Sequence, residues 1–225
     1  MAGDMQCPLC AATAVTPFHA DNRRPYLRCE TCSLVFVPPA FFLSRQAERA
    51  EYDLHCNDID DPGYRAFLAR LATPLLARLP PASRGLDFGC GPGPALAHML
   101  REAGHEVALY DSFYQPAPDV LGGRYDFICA TEVVEHLHAP GRELGRLWSL
   151  LAPGGWLGVM TKLVRDREAF SRWHYKNDPT HVCFFSVGTW QWWARRQGAV
   201  LEFIGSDVIL LGRPQAQSAC CSMLV

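Results

Sequence analysis

The sequence predicts an α/β chain: a doubly wound parallel sheet preceded by a small cysteine-rich module. Three observations carry this prediction. Two C-x-x-C pairs lie within the first 32 residues, a glycine-dense turn follows an apolar run at residues 86–93, and further apolar runs alternate with helical patterns after it. A chain of 225 residues with 49% apolar composition can bury one core of this kind and a small appendage.

The N-terminal module, predicted as residues 1–40, contains two C-x-x-C pairs with 18 residues between them. Each pair can place two thiolates on one ion, and two pairs make a closed tetrahedral zinc site. Such a zinc ribbon would be structural, because no coordination position stays open, and it indicates a reducing, cytoplasmic compartment. Reduced or redox-active cysteines are the alternative. The predicted ligands are Cys7, Cys10, Cys29 and Cys32.

Residues 41–82 are predicted to be a helical linker or lid. Residues 44–52 are polar and have helical character. Residues 64–79 are amphipathic, with an apolar face at helical spacing. That face comprises Phe67, Leu68, Leu71, Leu75 and Leu76. We therefore expect the second helix to pack on the sheet domain, which is predicted as residues 83–215.

The glycine-dense turn predicts a binding site. An apolar run ends at Asp87, a G-x-G-x-G turn follows, and residues 94–103 have a helical pattern. The spacing is neither the G-x-G-x-x-G of dinucleotide sites nor a phosphate loop, and the carboxylate before the turn suits an ammonium or hydroxyl group. Asp111 ends the next apolar run, where an acid can bind ribose hydroxyls. A purely structural glycine turn is the alternative.

Residues 83–214 resemble the class I S-adenosylmethionine-dependent methyltransferases. Residues 86–93 look like the first motif of that family, Asp111 like its ribose-binding acid, residues 125–131 like its fourth strand, and residues 150–155 like the turn before its fifth. The resemblance implies a Rossmann-like methyltransferase sheet and S-adenosylmethionine as cofactor. It implies these cofactor-binding residues: Asp87, Gly89, Cys90, Gly91, Gly93, Asp111, Ser112, Phe113, Thr131 and Glu132.

The chain departs from the family pattern after Asp111. Only 14 residues separate Asp111 from Asp126, where the family fits a helix and its third strand. We expect this edge strand to be reduced or missing, which would remove a wall of the adenine site. Phe113 or Tyr114 would then supply a stacking face, with simple loop packing as the alternative.

A carboxylate–histidine cluster follows the fourth strand. If residues 132–137 start a helical turn, Glu132, Glu135 and His136 share one face and can hold a divalent ion. His181 follows the fifth strand, predicted at residues 156–161, and so enters the same crevice. This pattern is similar to that of the ubiquinone-pathway O-methyltransferases and the small-RNA 3′-terminal 2′-O-methyltransferases. The resemblance implies Mg²⁺ or a similar ion at Glu132, Glu135, His136 and His181; metal-free class I enzymes with a Glu-His pair keep the alternative open.

Transfer to a hydroxyl group needs a base or a metal at the acceptor oxygen. The catalytic candidates are His181, His136, Glu132 and His174. The segment before the sheet folds over the cofactor in many relatives, so Tyr52, His55 and Tyr64 are candidate lid residues, with a solvated loop as the alternative. The candidates for acceptor binding are Trp173, His174, Tyr175, Asp178, Tyr52 and His55.

The charge balance favours a small-molecule acceptor. The net charge is −2, and the first 85 residues carry nine basic and nine acidic side chains, so no strong basic field recruits nucleic acid. Neither a signal peptide nor an apolar run of membrane-spanning length is evident. O-methylation of a small molecule is the favoured function. The alternatives are an RNA methyltransferase that uses the ribbon to bind its substrate and a non-catalytic regulator that binds S-adenosylmethionine.

The C-terminal part is predicted to be scaffold. Residues 190–194 are aromatic and helical, and residues 200–204 and 208–211 form the last antiparallel hairpin. We expect the tail, residues 216–225, to be disordered.

Overall fold

The computed structural model describes residues 5–54 and 58–215, which form two sheets with helices around them. Two of the expectations from the sequence concern residues outside these ranges. They are the lid residue His55 and the tail at 216–225. In the part of the chain that is described, no helix combines the length and apolarity that a membrane crossing requires.

The N-terminal sheet joins the cysteine module (residues 1–40) to the rest of the chain. Its first three strands are β1 (Val15–Ala20), β2 (Pro25–Cys29) and β3 (Val35–Phe36). Its fourth strand, β8 (Cys183–Phe184), comes from far along the sequence and pairs antiparallel with β3. The module therefore shares a sheet with the segment that directly follows His181.

Two helices lead from the module to the main sheet. Helix α1 (Arg45–Tyr52) begins where the Ser44 side chain accepts a hydrogen bond from the Ala47 amide, a regular N-cap. Helix α2 (Pro62–Leu76) begins at Asp61, which accepts from the Gly63 amide at 2.7 Å. The second helix buries its apolar face, as expected, through Leu68, Leu71, Ala72 and Leu75.

The main sheet has six strands in the order β5-β4-β6-β7-β10-β9. Strands β4, β5, β6 and β7 run parallel, and β10 pairs antiparallel with both β7 and β9. The strands are β4 (Arg84–Phe88), β5 (Glu106–Tyr110), β6 (Tyr125–Thr131), β7 (Leu151–Met160), β9 (Val200–Ile204) and β10 (Val208–Gly212). The helices between them are α3 (Ala95–Glu102), α4 (Pro140–Leu150), α5 (Arg167–Ser171) and α6 (Val187–Gln197).

The expected loss of the third strand is confirmed within the described chain. Between β5 and β6 lie an isolated bridge from Asp111 to Gln115 and a 3₁₀ helix at Pro118–Gly122. The fifth strand of the family corresponds to β7, which starts at Leu151 rather than at 156. Residues 152–155 interrupt its register, because Tyr125 pairs with Leu151 and Phe127 with Trp156. The predicted turn is thus a bulge inside the strand.

The two faces of the sheet bury separate clusters. Helices α2 and α3 cover one face through residues such as Leu71 and Leu100. Helices α4 and α6 and the cysteine module share the other cluster, which includes Trp190 and Tyr26, both fully buried. The carboxyl ends of β4, β5, β6 and β7 border one crevice, the position at which open α/β sheets bind ligands.

Candidate active site

The glycine turn is held tightly between strand ends. The amides of Gly89 and Cys90 both donate to the Tyr110 carbonyl, at 2.7 and 3.2 Å. Gly89 has φ +76°, and a Cβ there would lie 2.4 Å from a methyl group of Val133. Gly91 also has positive φ, at +61°. A side chain would be strained by the positive φ at both positions and would clash with Val133 at Gly89. The turn therefore favours glycine, and a ligand can approach its backbone closely.

Asp111 lies beside this turn and is held by three backbone amides. Its Oδ2 accepts from Gly91 at 3.1 Å, and its Oδ1 accepts from Phe113 and Tyr114 at 2.8 and 3.0 Å. A carboxylate has about four acceptor positions, so Asp111 is oriented and keeps capacity for a further donor. Asp87 is almost completely buried beneath the turn, and burial raises the pKa of its carboxyl group to about 7.

Helix α1 closes over the loop after β5. Arg45 donates to the Ser112 carbonyl at 2.7 Å, and its guanidinium lies 4.3 Å from the centre of the Phe113 ring. Tyr114 donates to Asp53 at 2.6 Å. The ring of Tyr52 packs edge-on against Phe113 and against His136, with centroids 5.4 and 5.3 Å apart. Tyr52 therefore covers the crevice, which agrees with a lid.

Tyr64, at the start of α2, is also a predicted lid residue. Burial raises the pKa of its hydroxyl group to about 12, with further contributions from the carboxylates of Asp87 and Glu132. Tyr64 therefore lies near the carboxyl groups of Asp87 and Glu132.

The expected helical turn at 132–137 is wrong. The 3₁₀ helix spans Val134–His136, and Glu132 precedes it in a left-handed conformation with φ +52°. Glu132, Glu135 and His136 therefore do not share a helical face. The Glu132 amide donates to the Met160 carbonyl at 2.8 Å as the last ladder bond between β6 and β7, so Glu132 ends the strand instead of starting a helical turn. A non-glycine residue in this conformation is strained by about 1 kcal/mol, a feature concentrated at functional sites.

Glu135 is fully buried beneath the crevice. Tyr175 donates a hydrogen bond to its Oε1 and approaches Glu132 Oε2 at 3.5 Å, while Glu135 Oε2 has no hydrogen-bond partner among the described residues. Burial raises the pKa of both carboxyl groups, Glu132 to about 7 and Glu135 to about 8, and the charge of Glu132 adds to the shift at Glu135.

His181 lies against this pair with a defined tautomer. Its Nδ1 is 2.7 Å from the Tyr175 carbonyl, which can only accept, so Nδ1 carries the proton and Nε2 is the basic nitrogen. Nε2 lies 3.6 Å from Asp178 Oδ2, and burial lowers the pKa of the imidazole. The His136 ring lies 4.6 Å away. Ligand atoms of Glu135, His136 and His181 all lie within 4.8 Å of one another, so these three residues could hold a metal ion; Glu132 is outside the group.

The remaining candidates surround this cluster. Trp173 packs on Tyr175 with ring centroids 5.0 Å apart. His174 is exposed, and its Nε2 accepts from Lys162 at 3.4 Å. Asp178 accepts from the amide and the hydroxyl of Thr180, at 2.8 and 2.5 Å. Thr131 ends β6 with a buried hydroxyl that has no partner among the described residues.

The four cysteines of the module lie together. Cys7 Sγ is 3.5 Å from Cys32 Sγ, and Cys10 Sγ is 3.5 Å from Cys29 Sγ. All four sulfur atoms lie within 4.8 Å of one another and could hold a metal ion. This is the arrangement that a tetrahedral thiolate site requires.

The module also holds the loop that carries His181, a role that the sequence did not reveal. Arg24 is buried and donates to the carbonyls of Lys176, Asp178 and Pro179 at 2.7 to 3.0 Å. Lys176 pairs with Asp21 at 2.8 Å. These contacts join residues some 150 positions apart, so they leave no local pattern in the sequence.

The order of strands, the glycine turn and the two acids beside it define the class: a Rossmann-like, S-adenosylmethionine-dependent methyltransferase. The methyltransferase-domain family matches residues 62–202, more than half of the chain, and the chain belongs to that family. A search of curated proteins found no match.

Solved structures agree in fold. The chain is similar to the 1,6-didemethyltoxoflavin-N1-methyltransferase of Burkholderia thailandensis, solved with 1,6-didemethyltoxoflavin and S-adenosylhomocysteine, with a TM-score of 0.53 and 18% identity over 89% of this chain and 99% of that one. An O-methyltransferase family protein from the same organism has a TM-score of 0.50 and 18% identity, over 80% of this chain and 64% of that one. A methyltransferase from Archaeoglobus fulgidus has a TM-score of 0.51 and 16% identity, over 66% and 94%.

Proposed function

We propose that the chain transfers the methyl group of S-adenosylmethionine to an oxygen atom of a small-molecule acceptor. The observation that carries the proposal is the fixed tautomer of His181, whose ring lies beside the buried Glu135 and Tyr175. A lowered pKa keeps this imidazole neutral near pH 7, as a general base requires. The cofactor supplies the reactive sulfonium, and the protein aligns the acceptor and removes its proton.

The residues of the glycine turn fit the cofactor. Gly89 and Gly91 leave the backbone open, and Asp111 is oriented to accept from ribose hydroxyls. Asp87 and the end of β6, with the unpartnered hydroxyl of Thr131, complete the expected contacts. The cation–π contact of Phe113 with Arg45 and its edge-on contact with Tyr52 support a role in covering the adenine.

The second group of residues fits a divalent cation. Glu135 Oε2 is buried with no partner among the described residues, and a carboxylate oxygen of Glu135 lies within 4.8 Å of nitrogen atoms of His136 and His181. Mixed carboxylate and imidazole ligands suit such an ion. Glu135, His136 and His181 would hold it, with Glu132 outside the set, and when bound it would acidify an acceptor hydroxyl. Because the ion would occupy His181 Nε2, it would take the place of the base rather than act beside it.

We assign a structural zinc ion to the four cysteines, and its closed set of thiolates implies a reducing compartment such as the cytoplasm. The burial of Arg24 and its hydrogen bonds to the loop at 176–179 favour a bracing role for the module over RNA binding. The guanidinium group of Arg24 binds protein carbonyls and is therefore not available to phosphate groups.

The test is methyl transfer by the variant His181→Gln to a panel of phenols, catechols and hydroxy acids, measured with radiolabelled cofactor. We expect turnover to fall by about a hundredfold or more while S-adenosylhomocysteine binds as before. The exposed His98→Gln is the matched control. Unchanged turnover would remove His181 as base or ligand. Tight binding of S-adenosylhomocysteine with no transfer to any acceptor would favour a regulator.

A further inference from the structure

A cleft of about 1200 Å³ lies between the cysteine module and the main sheet. We call it the junction cleft. Strands β1 and β2 of the module form one wall, with Phe18 and Arg28 among its residues. The segment after β7 and the turn between β9 and β10 form the other, including Leu163 and Phe203. Its volume suits a small molecule, and its lining is partly apolar.

One end of the junction cleft lies next to the residues of the catalytic crevice. Lys162 lines the cleft, contacts His174 and lies 5.2 Å from the centre of the Tyr175 ring. Trp173 lines the cleft and packs on the same tyrosine. A molecule at this end of the cleft would therefore contact the two side chains that pack on Tyr175.

The junction cleft carries unneutralised positive charge. Within residues 5–54 and 58–215, no carboxylate lies within ion-pair distance of Lys162, Arg165 or Arg167. Arg165 and Arg167 are exposed and follow Lys162 along one wall.

Five cationic and three acidic side chains line the junction cleft, so its lining is net positive, and each acid has a hydrogen-bond or ion-pair partner. Glu30 accepts from Thr16 at 2.7 Å, Asp166 caps α5 by accepting from the Ala169 amide at 2.7 Å, and Asp207 pairs with Arg70 at 2.8 Å. The cleft therefore presents an apolar floor with cations along one side, which complements an amphiphilic anion.

We propose that the junction cleft is the acceptor site, and that the acceptor is a small molecule with an apolar body and a carboxylate or phosphate group. The nucleophilic oxygen would lie at the Tyr175 end and the anionic group at Arg165 and Arg167. This proposal rests on the proposed function and specifies its substrate class.

The charge pattern favours such a molecule over RNA. A nucleic acid would need cations spread along an exposed track, because affinity comes from many phosphate contacts. Here Lys162, Arg165 and Arg167 line one wall of a single cleft, and the most deeply placed arginine of the module, Arg24, binds protein carbonyls.

The experiment compares the full-length protein with the double variant Arg165→Gln/Arg167→Gln. The probes are 4-hydroxycinnamate, 4-hydroxyphenethyl phosphate and the neutral 4-hydroxycinnamyl alcohol, and binding is measured by calorimetry with S-adenosylhomocysteine present. The matched control is Arg195→Gln/Arg196→Gln, which removes the same charge from the exposed last turn of α6.

We expect the wild type to bind at least one anionic probe about tenfold more tightly than the alcohol, and the cleft variant to lose that preference while the control keeps it. The better of the two anions identifies carboxylate or phosphate. Equal or absent binding of all three probes overturns the proposal. So does salt-dependent affinity for a short RNA that only the cleft variant loses.

Unchanged binding of S-adenosylhomocysteine in every variant keeps this test separate from the proposed function. A wild type that shows no anion preference but transfers methyl groups to another acceptor would overturn the cleft assignment alone. If the wild type binds the anionic probes as expected but transfers no methyl group to any acceptor, the proposed function alone is overturned.

Discussion

At the scale of single residues, the buried acid below the glycine turn has the clearest physical consequence. Asp87 is 4% exposed, and burial raises the pKa of its carboxyl group from 3.8 to about 7, although an amide of Ala97 and the charge of Arg101 oppose the shift. The unfolded chain ionises this group near pH 4, whereas the folded protein keeps it protonated to about pH 7. Between these values the folded state binds more protons, so its stability falls as the pH rises.

Asp87→Asn removes this dependence. As the pH rises from 4 to 8, we expect the free energy of unfolding of the variant to increase relative to that of the ligand-free wild type, by about 4 kcal/mol at most. Denaturant unfolding across this pH range measures it. Parallel curves for the two proteins would show that the carboxyl group is ionised in the fold and that its pKa is not raised.

Asp111 carries the proposed ribose contact. Asp111→Asn keeps the shape of the side chain but removes its charge, so we expect S-adenosylhomocysteine to bind about tenfold or more weakly. Calorimetry measures this, with the exposed Asp119→Asn in the same loop as the control. Equal affinity in both variants would remove the ribose role from Asp111.

At the scale of elements, the loop between α5 and β8 depends on a side chain from the cysteine module. Arg24 satisfies three carbonyls of that loop and also donates to the Tyr26 hydroxyl at 3.2 Å. Burial would raise the pKa of Asp21, but its hydrogen bonds from Lys176 and two amides hold the pKa well below its usual range. The loop contains a 3₁₀ helix at His174–Asn177, and charged and polar contacts from the module hold its C-terminal end.

Arg24→Gln leaves buried carbonyls without donors. We expect the free energy of unfolding to fall by about 2 to 4 kcal/mol and amide exchange at 176–181 to speed up. The control is the neighbouring Arg23→Gln, which removes one exposed bond to the Asn177 carbonyl and should cost less than about 1 kcal/mol. Equal losses in the two variants would contradict the bracing role.

At the scale of the whole molecule, the cysteine module and the methyltransferase domain are joined through a common sheet and a common core. The Gly141 amide donates to the Pro8 carbonyl at 3.1 Å, and a Cβ at Gly141 would lie 2.3 Å from the Leu9 carbonyl oxygen. This close approach brings the first C-x-x-C turn against α4. Loss of a metal ion from the module should therefore lower the stability of the whole fold.

Purified protein should contain about one zinc ion per chain, as measured by elemental analysis. Cys10→Ser should lose it, and the melting temperature should fall by about 10 °C, because loss of a structural ion from a shared sheet removes several kcal/mol. Cys90→Ser, outside the cluster, should keep the ion. Metal-free protein with an unchanged melting temperature would end the zinc assignment.

Short-range patterns could be predicted from the sequence because their chemistry is local. The glycine turn, the acids at strand ends, the cysteine pairs and the missing third strand each leave a mark within about 20 residues. The conformation of Glu132 could not, because a left-handed φ at a non-glycine residue is imposed by the surrounding fold rather than by its neighbours in the chain. It takes Glu132 out of the 3₁₀ turn that carries Glu135 and His136.

The sequence by itself determined the class of sheet, the nucleotide-binding turn and the residues that can ligate metal. Only the tertiary structure decided that Glu135 rather than Glu132 lies with His136 and His181, that Arg24 braces the loop, and that a cationic cleft adjoins the crevice. The reason is physical: local backbone preferences act between neighbours in the chain, whereas burial, charge pairing and cavities arise between segments that only folding brings together.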